Sequence, residues 1–251
     1  MIVAMASFRS RRGADEDGLE RTFERMRELV ATIPGFISYK SYVAEDGEEL
    51  EVVRFESEGS EEAWRSFPEH VDAQRRGRDE FFDEYWVQVC VPIRQYRFIR
   101  GSGYSDELPW SSPSVASDRS GRDSDHEGTV GRWEVKAMII TLFGDTVVKP
   151  GKEADDERLS AKLDPILRSM PGFISYKSYR ADDGEELGVI RMESREALDA
   201  WVNEGVHGSA QKVADQIYER FWVQSAETFR EYTWENGTKT DGDLTSVFIE
   251  R

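Results

Sequence analysis

The sequence predicts an α+β fold. It consists of two tandem ferredoxin-like domains of order βαββαβ, whose antiparallel sheets pack face to face as a pseudo-dimeric α/β barrel. The first observation is a repeat: residues 34–57 and 171–194 are identical at nineteen of twenty-four positions, with a constant offset of 137. The second is the alternation of strand-like and helix-like patterns within each repeat. The third is the length of 251 residues, which suits two domains of ordinary size.

The first repeat begins with a predicted strand from Ile2 to Phe8, because this run is apolar and rich in strand-forming residues. A helix follows, ended by Pro34-Gly35. Residues 36–43 and 50–56 predict a hairpin turning at Asp46-Gly47, where glycine accepts the positive φ of a tight turn. The helix is predicted from apolar residues spaced by three and four: Phe23, Met26, Leu29, Val30 and Ile33.

A short helix around Trp64, a second helix from about Glu69 to Phe82 and a long strand from Tyr85 to Phe98 complete the first repeat. The second repeat has the same order, from a first strand at Trp133 to Phe143 to a last strand at about Phe221 to Trp234. A sheet covered by helices on one face leaves the other face apolar. Packing the two sheets together covers both faces, with the helices outside.

The predicted domains are residues 1–100 and 132–235. Between them, residues 101–131 are rich in serine, glycine and aspartate, which is typical of an interdomain linker. Residues 236–251 form a tail without a counterpart in the first repeat before its linker, and we expect this tail to pack along a neighbour. Its predicted anchors are Val247, Phe248 and Ile249.

Composition excludes several classes of partner. The chain has 50 acidic and 33 basic residues and a formal net charge of -17, which repels nucleic acid and anionic membrane surfaces. No apolar run is long enough to span a bilayer, and the charges near the N-terminus follow its apolar stretch, unlike a signal peptide. The single cysteine, Cys90, excludes an internal disulfide. We therefore expect a cytoplasmic protein.

Two histidines at equivalent positions are the candidate catalytic residues. His70 and His207 each follow a tryptophan, Trp64 and Trp201, by six residues. A histidine with an ordinary pKa near 6.5 can take a phenolic proton at neutral pH, and a tryptophan can stack on a flat aromatic substrate. The alternatives are that each histidine bonds a backbone group at its helix start and that each tryptophan belongs to the core.

Two further pairs are candidate substrate-binding residues. Tyr39 and Tyr176 could line a pocket, or they could pack within the sheet. Arg94 and Arg230 match at an offset of 136, after one residue is lost between Gln74-Gln211 and Trp86-Trp222. They could bind a phenolate or carboxylate, or form an interdomain salt bridge. The acidic pairs Glu48-Glu49 and Glu185-Glu186 are predicted to be solvated, and no metal site is predicted.

Each repeat resembles the antibiotic biosynthesis monooxygenase family of the dimeric α/β barrel superfamily. The resemblance rests on the helix ending in Pro34-Gly35-Phe36, the Asp-Gly-Glu hairpins, the Trp64 segment leading to His70, and the final strand. It implies a pocket between the sheet and helices of each repeat. It also implies oxidation of reduced aromatic polyketides with O2. Such enzymes carry a tyrosine six residues after the tryptophan, where this chain carries histidine.

The resemblance therefore predicts an oxygenase that hydroxylates a reduced polycyclic aromatic polyketide, converts it to a quinone or opens its ring in antibiotic biosynthesis. Tandem members similar to this chain include angucycline ring-opening oxygenases. No bound cofactor is expected, O2 is the cosubstrate, and reduced flavin is one means of keeping the substrate reduced. The alternatives are a haem-binding or haem-degrading monooxygenase and a non-catalytic small-molecule-binding stress module. Beyond the intramolecular pseudo-dimer, a further homodimer is left open.

Overall fold

The computed structural model describes residues 1–106, Leu108, residues 137–235 and residues 238–243. The expected first-strand residue Trp133, most of the predicted linker and the predicted tail anchors Val247, Phe248 and Ile249 lie outside these ranges.

The first repeat has the predicted order of elements, followed by one short additional strand. Its elements are β1 (Ile2–Ser10), α1 (Glu16–Val30), β2 (Phe36–Ala44), β3 (Glu49–Phe55), α2 (Glu58–Arg65), α3 (Pro68–Arg76), a π-turn (Gly77–Phe81), β4 (Phe82–Ile99) and β5 (Gly103–Ser105).

The second repeat follows the same plan. Its elements are β6 (Ile139–Val148), α4 (Glu153–Ser169), β7 (Phe173–Arg180), β8 (Glu186–Met192), α5 (Arg195–Val202), α6 (Gly205–Ile217), β9 (Tyr218–Glu235) and β10 (Thr238–Asp243). In both repeats the glycine after the helix-ending proline has a positive φ, 82° at Gly35 and 78° at Gly172. Glycine adopts this conformation without strain, so the chain can turn sharply from helix into strand.

Eight strands close into one barrel, as predicted. Within the sheet order, β2, β3, β1 and β4 of the first repeat continue into β9, β6, β8 and β7 of the second. The long strands β4 and β9 pair antiparallel from Glu84–Glu235 to Ile99–Arg220. The opposite seam is short, since β2 and β7 pair only at Val43–Arg180 and Ala44–Tyr179.

Side chains fill the barrel interior. A continuous core cluster there joins both repeats and includes Met5, Leu50, Leu142 and Trp222. Cys90 belongs to this cluster and is fully buried. Burial raises the pKa of its thiol to about 12, so the cysteine behaves as a small apolar strand residue.

Two acidic residues are buried contrary to prediction. We expected Glu48 and Glu185 on solvated turns, but their side chains are only 13% and 17% exposed. Lys177 Nζ lies 2.5 Å from Glu48, and Lys40 pairs with Glu185 in the mirror arrangement. Each hairpin carries its first glutamate toward a strand of the other repeat, so these ion pairs reinforce the short β2–β7 seam.

Residues 238–243 of the predicted tail form a strand that packs along a neighbouring strand. β10 returns antiparallel beside β9, from Thr238–Glu235 to Asp243–Arg230. β5 returns in the same way beside β4, with Arg97 opposite Ser105. Both final strands therefore continue into a hairpin, and the counterpart of β10 lies in the first residues of the predicted linker.

The helices cover the outer face of the barrel. In the first repeat α1 and α2 pack on the sheet through Leu29, Val30 and Trp64. In the second repeat Leu167, Leu198 and Trp201 occupy the corresponding layer. Among the described helices, none is both long enough and apolar enough to cross a membrane. The barrel thus has one interior core and two outer sheet–helix layers, and the predicted site residues Trp64, His70, Trp201 and His207 lie in the outer layers.

Candidate functional site

The tryptophan and histidine of each repeat are brought into contact. Ser57 caps α2 by accepting a hydrogen bond from the Ser60 amide at 3.2 Å, and Pro68 starts α3 shortly after α2 ends. This short connection lays the His70 ring on Trp64, with centroids 4.0 Å apart and planes 11° apart. Trp201 and His207 stack in the same way at 4.2 Å and 8°.

A backbone hydrogen bond determines which ring nitrogen of each histidine carries the hydrogen. His70 Nδ1 lies 2.9 Å from the Trp64 carbonyl oxygen, and His207 Nδ1 lies 2.8 Å from that of Trp201. A carbonyl oxygen only accepts, so Nδ1 carries the hydrogen and donates it. In the neutral ring Nε2 then holds the lone pair. The backbone-bonding alternative is therefore present in both repeats. In the first repeat the Gln74 side-chain amide lies 3.4 Å from His70 Nε2 and donates to it, so a ligand hydroxyl bound to Nε2 would replace this long contact.

Both histidines are weaker bases than the sequence suggested. Burial lowers the pKa of His70 to about 4, although the bond to the Trp64 carbonyl partly opposes the shift. Burial also lowers the pKa of His207. Moving a proton from a phenol of pKa about 10 to a group of pKa 4 would cost about 8 kcal/mol. The assumption of an ordinary histidine pKa was wrong, and His70 is suited to orient a hydroxyl rather than to hold its proton.

A cavity of about 100 Å³ lies beside Trp64 and His70. Small sheet residues, Ala4 and Ala6, form part of its sheet side, and Trp64, His70 and Gln74 form part of its helix side. Its remaining aromatic walls are Phe8, Phe82, Tyr85 and Tyr232. This lining is mainly apolar with few polar groups, as expected of a small-molecule site.

The second repeat contributes to this first-repeat cavity. Tyr232 of β9 reaches it because Val87 of β4 pairs opposite Tyr232. Arg230, also on β9, places Nη1 at 3.0 and 2.9 Å from the two carboxylate oxygens of Glu61. Glu61 lines the cavity and is 4% exposed. Arg230 thus forms the ion pair between repeats that we gave as an alternative to substrate binding, and it does so at the edge of the site.

Arg94, the counterpart of Arg230, has a different environment. It lies on the surface, with its guanidinium over the Tyr96 ring at 5.2 Å from the centroid. The position equivalent to Glu61 is Leu198 in the second repeat. The buried ion pair of the first repeat is therefore not reproduced in the second.

Between the sheet and the helices, the second repeat carries a larger side chain than the first. Strand register places Ala6 opposite Glu51 in the first repeat and Phe143 opposite Gly188 in the second. The Phe143 ring packs 5.6 Å from that of Phe221. A phenyl group therefore occupies the volume that Ala6 leaves open in the first repeat.

The two predicted binding tyrosines stand outside the cavity wall. Tyr39 lies under the Arg27 guanidinium, 5.4 Å from the ring centroid, and its hydroxyl lies 3.0 Å from Ser41 Oγ. Tyr176 lies in the same way under Arg168 at 5.9 Å. Both pack between sheet and helix, which is the alternative that we gave for them.

Glu51 is a buried carboxylate that sequence reasoning missed; it lies beside the sheet wall of the cavity but is not one of its lining residues. Its carboxylate accepts a hydrogen bond from Ser41 Oγ at 2.9 Å and is 6% exposed. Burial raises its pKa to about 7, although hydrogen bonds to Tyr39 and Ser41 oppose the shift. Its cross-strand partner Ala6 lines the cavity. A signal was available, because Glu51 interrupts an apolar strand where the second repeat has Gly188.

A larger groove of about 310 Å³ between α1 and α3 is a weaker candidate. It is an open surface feature lined mainly by charged side chains, which pair with each other, as Arg25 does with Glu69 at 3.1 Å. No aromatic residue lines it. The smaller cavity beside Trp64 is therefore the better site for an aromatic molecule.

Comparison with known proteins bears on the family and the fold of the chain. A sequence profile described as "Antibiotic biosynthesis monooxygenase" matches residues 1–76 and 139–213, more than half of the chain. The chain is 33% identical over 91 residues to "Uncharacterized protein YqjZ" of Bacillus subtilis (strain 168), which covers 36% of this chain and 80% of that protein. A crystal structure of aldoxime dehydratase (OxdRE) in complex with butyraldoxime is similar with a TM-score of 0.50 at 16% identity, covering 98% of this chain and 84% of the other. This last likeness concerns the fold alone.

Proposed function

Because the chain belongs to the antibiotic biosynthesis monooxygenase family, we propose that its first repeat binds a reduced aromatic molecule and oxidises it with O2. The observation that carries the proposal is the aromatic cavity beside Trp64. The small side chains of Ala4 and Ala6 leave space for this cavity on its sheet side. His70 supplies a hydrogen-bond acceptor on the helix side, and the Glu61–Arg230 pair supplies charge at the edge.

The size of the cavity limits which part of a substrate is enclosed. Its volume of about 100 Å³ is below that of an engineered cavity of roughly 150 Å³ that holds benzene. Typical ligand pockets hold about 300–1,000 Å³. We propose that one hydroxylated ring enters between Ala6 and Trp64, with the remainder of the substrate projecting through the open side. A polycyclic substrate would require α2 and α3 to move outward.

The chemistry follows from the neighbouring groups. The phenolic O–H donates to His70 Nε2, which orients the ring. For the proton to leave, the hydroxyl turns from His70 toward Glu51, which lies on the sheet beside Ala6 and has a pKa near neutrality. The O–H bond breaks, and a phenolate and a neutral Glu51 carboxyl group form. The phenolate passes one electron to O2, giving superoxide and a substrate radical. Their recombination forms a C–O bond, and the peroxide anion takes the proton back from Glu51. The hydroperoxide then loses water, since its O–O bond breaks and the hydrogen leaves the same carbon, and a carbonyl group remains. We propose O2 as cosubstrate without a bound cofactor, reduced flavin serving only to keep the substrate reduced.

Oxygen consumption by the full-length protein tests the proposal. We expect uptake above autoxidation with 1,4-dihydroxybenzene, 1,4-dihydroxynaphthalene or anthrone, with and without a metal chelator. Uptake equal to the protein-free control for all three would overturn it. A haem titration followed in the Soret region separates the haem-binding alternative, and binding of the same aromatics without turnover would favour the non-catalytic one.

A further inference from the structure

The first repeat contains one residue more than the second between the site histidine and the last strand. Gln74 aligns with Gln211 at an offset of 137, whereas Trp86 aligns with Trp222 at 136. Matching the two segments from both ends leaves Arg78 as the unmatched residue. Arg78 lies within the π-turn Gly77–Phe81, while the second repeat has the uninterrupted helix α6 at this place.

The π-turn accommodates that additional residue at the end of the helix. The Phe82 amide donates to the Gly77 carbonyl, five residues earlier, so the last turn of the helix is wider than an α-turn. The widened turn brings the Phe82 ring over the Cα of residue 77. A Cβ at Gly77 would lie 2.9 Å from this ring, so only glycine leaves enough space. The equivalent residue of the regular helix α6 is Ala214.

Arg11 stabilises the turn from the end of β1. Its Nη1 donates to the Asp79 carbonyl at 3.0 Å, and its Nη2 donates to those of Arg78 and Phe82 at 3.2 and 3.1 Å. These carbonyls belong to a helix end, where acceptors lack partners within the helix. The register of β6 places Lys149 at the position of Arg11, because Val148 pairs with Tyr218 as Ser10 pairs with Phe82. The Lys149 side chain also donates to a carbonyl at the helix end, that of Asp215. Both repeats therefore carry a cation that binds a carbonyl group here, whereas the π-turn and the three carbonyl contacts of Arg11 belong to the first repeat.

We infer that this π-turn, held by Arg11, creates the far wall of the first-repeat cavity by placing Phe82 there, and thereby determines which ring the cavity accepts. Phe82 lines the cavity and stacks on Phe8, another lining residue, at 4.7 Å and 29°. Removing one residue would return the segment to an α-helical register. The helix would then turn by about 100° relative to Phe82 and the following strand, whose register is fixed by its pairing with β1. The cavity is present in the structure, whereas its use in selecting a substrate rests on the proposed function.

Xenon tests the cavity without involving the reaction, because it enters preformed apolar cavities. Crystals of the full-length protein and of three variants would be pressurised with xenon. In the wild type we expect one xenon atom between Phe82 and Ala6. Arg78→Ala is the matched control, since it removes the side chain but keeps the chain length, and it should retain the xenon. Deleting Arg78 should remove the xenon and displace the Phe82 ring.

Gly77→Ala provides a second route if the deletion variant does not fold. It keeps the chain length but pushes the Phe82 ring, so the xenon site should be lost or shifted. A wild type without xenon in this cavity, or a deletion variant or Gly77→Ala that retains both the xenon and the Phe82 position, would overturn the inference. Oxygen uptake with 1,4-dihydroxybenzene is measured in parallel. Xenon binding without oxygen uptake in the wild type would reject the proposed function and leave the inference standing.

Discussion

In the first repeat the sheet presents Ala4 and Ala6 to the helices, whereas in the second repeat Thr141 and Phe143 stand at the same positions. The residues that close the barrel are nonetheless the same, as the mirrored pairs of Lys177 with Glu48 and Lys40 with Glu185 show. The two repeats have thus kept the contacts of their shared interface and differ in the outer layers. Identity between the repeats is therefore found in the barrel and in the tryptophan–histidine stacks, whereas the cavity lies where the repeats diverge.

The largest expected effect follows the replacement of Glu61 by leucine, the residue at the equivalent position of the second repeat, Leu198. Glu61→Leu should lower the free energy of unfolding by about 3 kcal/mol, because Arg230, whose side chain is 15% exposed, would keep only its 3.9 Å contact with the exposed Glu58. Urea denaturation measures this change. In the double variant Glu61→Leu, Arg230→Leu much of the loss should be recovered. Arg94→Leu is the matched control on the exposed side, and it should change stability by no more than about 0.5 kcal/mol. Equal losses at Arg94 and Glu61 would contradict the comparison.

Filling the open cavity should abolish the difference between the outer layers. Ala6→Phe places the ring of Phe143 in the first repeat, and we expect oxygen-dependent turnover to fall by about 100-fold, in the range by which a poorly fitting group is rejected. Overpacking should also cost about 1–3 kcal/mol of stability. The counterpart Phe143→Ala should leave turnover by the first repeat unchanged. If Phe143→Ala abolished turnover and Ala6→Phe did not, the second repeat would be the active one.

Replacing each histidine separately tests which repeat is used. His70→Phe keeps an aromatic ring against Trp64 but removes the acceptor Nε2, so turnover should fall by about tenfold, the value of one hydrogen bond. His207→Phe makes the same change in the second repeat and should have no effect on turnover. Steady-state kinetics of both variants at pH 7 provides the measurement. Turnover equal to that of the wild type in both variants would show that neither histidine takes part in the reaction.

The pH dependence of turnover should separate Glu51 from His70. The ionised Glu51 carboxylate is the proposed proton acceptor, so kcat/KM should rise as pH increases through about 7. Glu51→Gln should remove this limb, and Glu49→Gln, the next carboxyl on the same strand face, should retain it. Tyr39, Ser41 and Arg27 also face Glu51, so Ser41→Ala should shift the limb upward by removing a hydrogen bond to the carboxylate. A limb near pH 4 that persists in Glu51→Gln would assign the proton to His70 instead.

Stability should follow the same titration with a defined sign. The folded-state pKa of Glu51 is raised to about 7, so the folded protein binds this proton more tightly than the unfolded chain does. The stabilising contribution is therefore complete below the ordinary glutamate pKa and is lost as pH rises through about 7. His70 acts in the opposite direction, since its lowered pKa makes the folded state lose stability as pH falls through its ordinary value toward 4. In denaturation curves measured between pH 4 and 8, Glu51→Gln should thus reduce the loss of stability as pH rises and leave the acid-side loss unchanged.

The sequence predicted the barrel because its signals are local or repeated. Pro34-Gly35 ends a helix whatever surrounds it, and a near-identical hairpin at a fixed offset indicates two copies of one domain. The burial of Glu48 depends on Lys177, which lies in the other repeat, so no local pattern reports it. The weak basicity of His70 depends in the same way on burial. The additional residue near Arg78 was visible as a change of offset, but its π-turn was not, because that conformation depends on contacts with Arg11 and Phe82.

The long β4–β9 pairing lies within one polypeptide, so its formation does not depend on protein concentration. In an assembly of two separate chains such an interface would form only above its dissociation constant, and its melting temperature would depend on protein concentration. Here both strands belong to one polypeptide, so their effective concentration is set by the connecting segment and does not change on dilution. A covalent pair is also released from twofold symmetry, since a substitution in one copy is not imposed on the other. Ala6 and Phe143 show the result. The sheet–helix layer of the first repeat contains a cavity, whereas the Phe143 ring fills the equivalent volume in the second repeat.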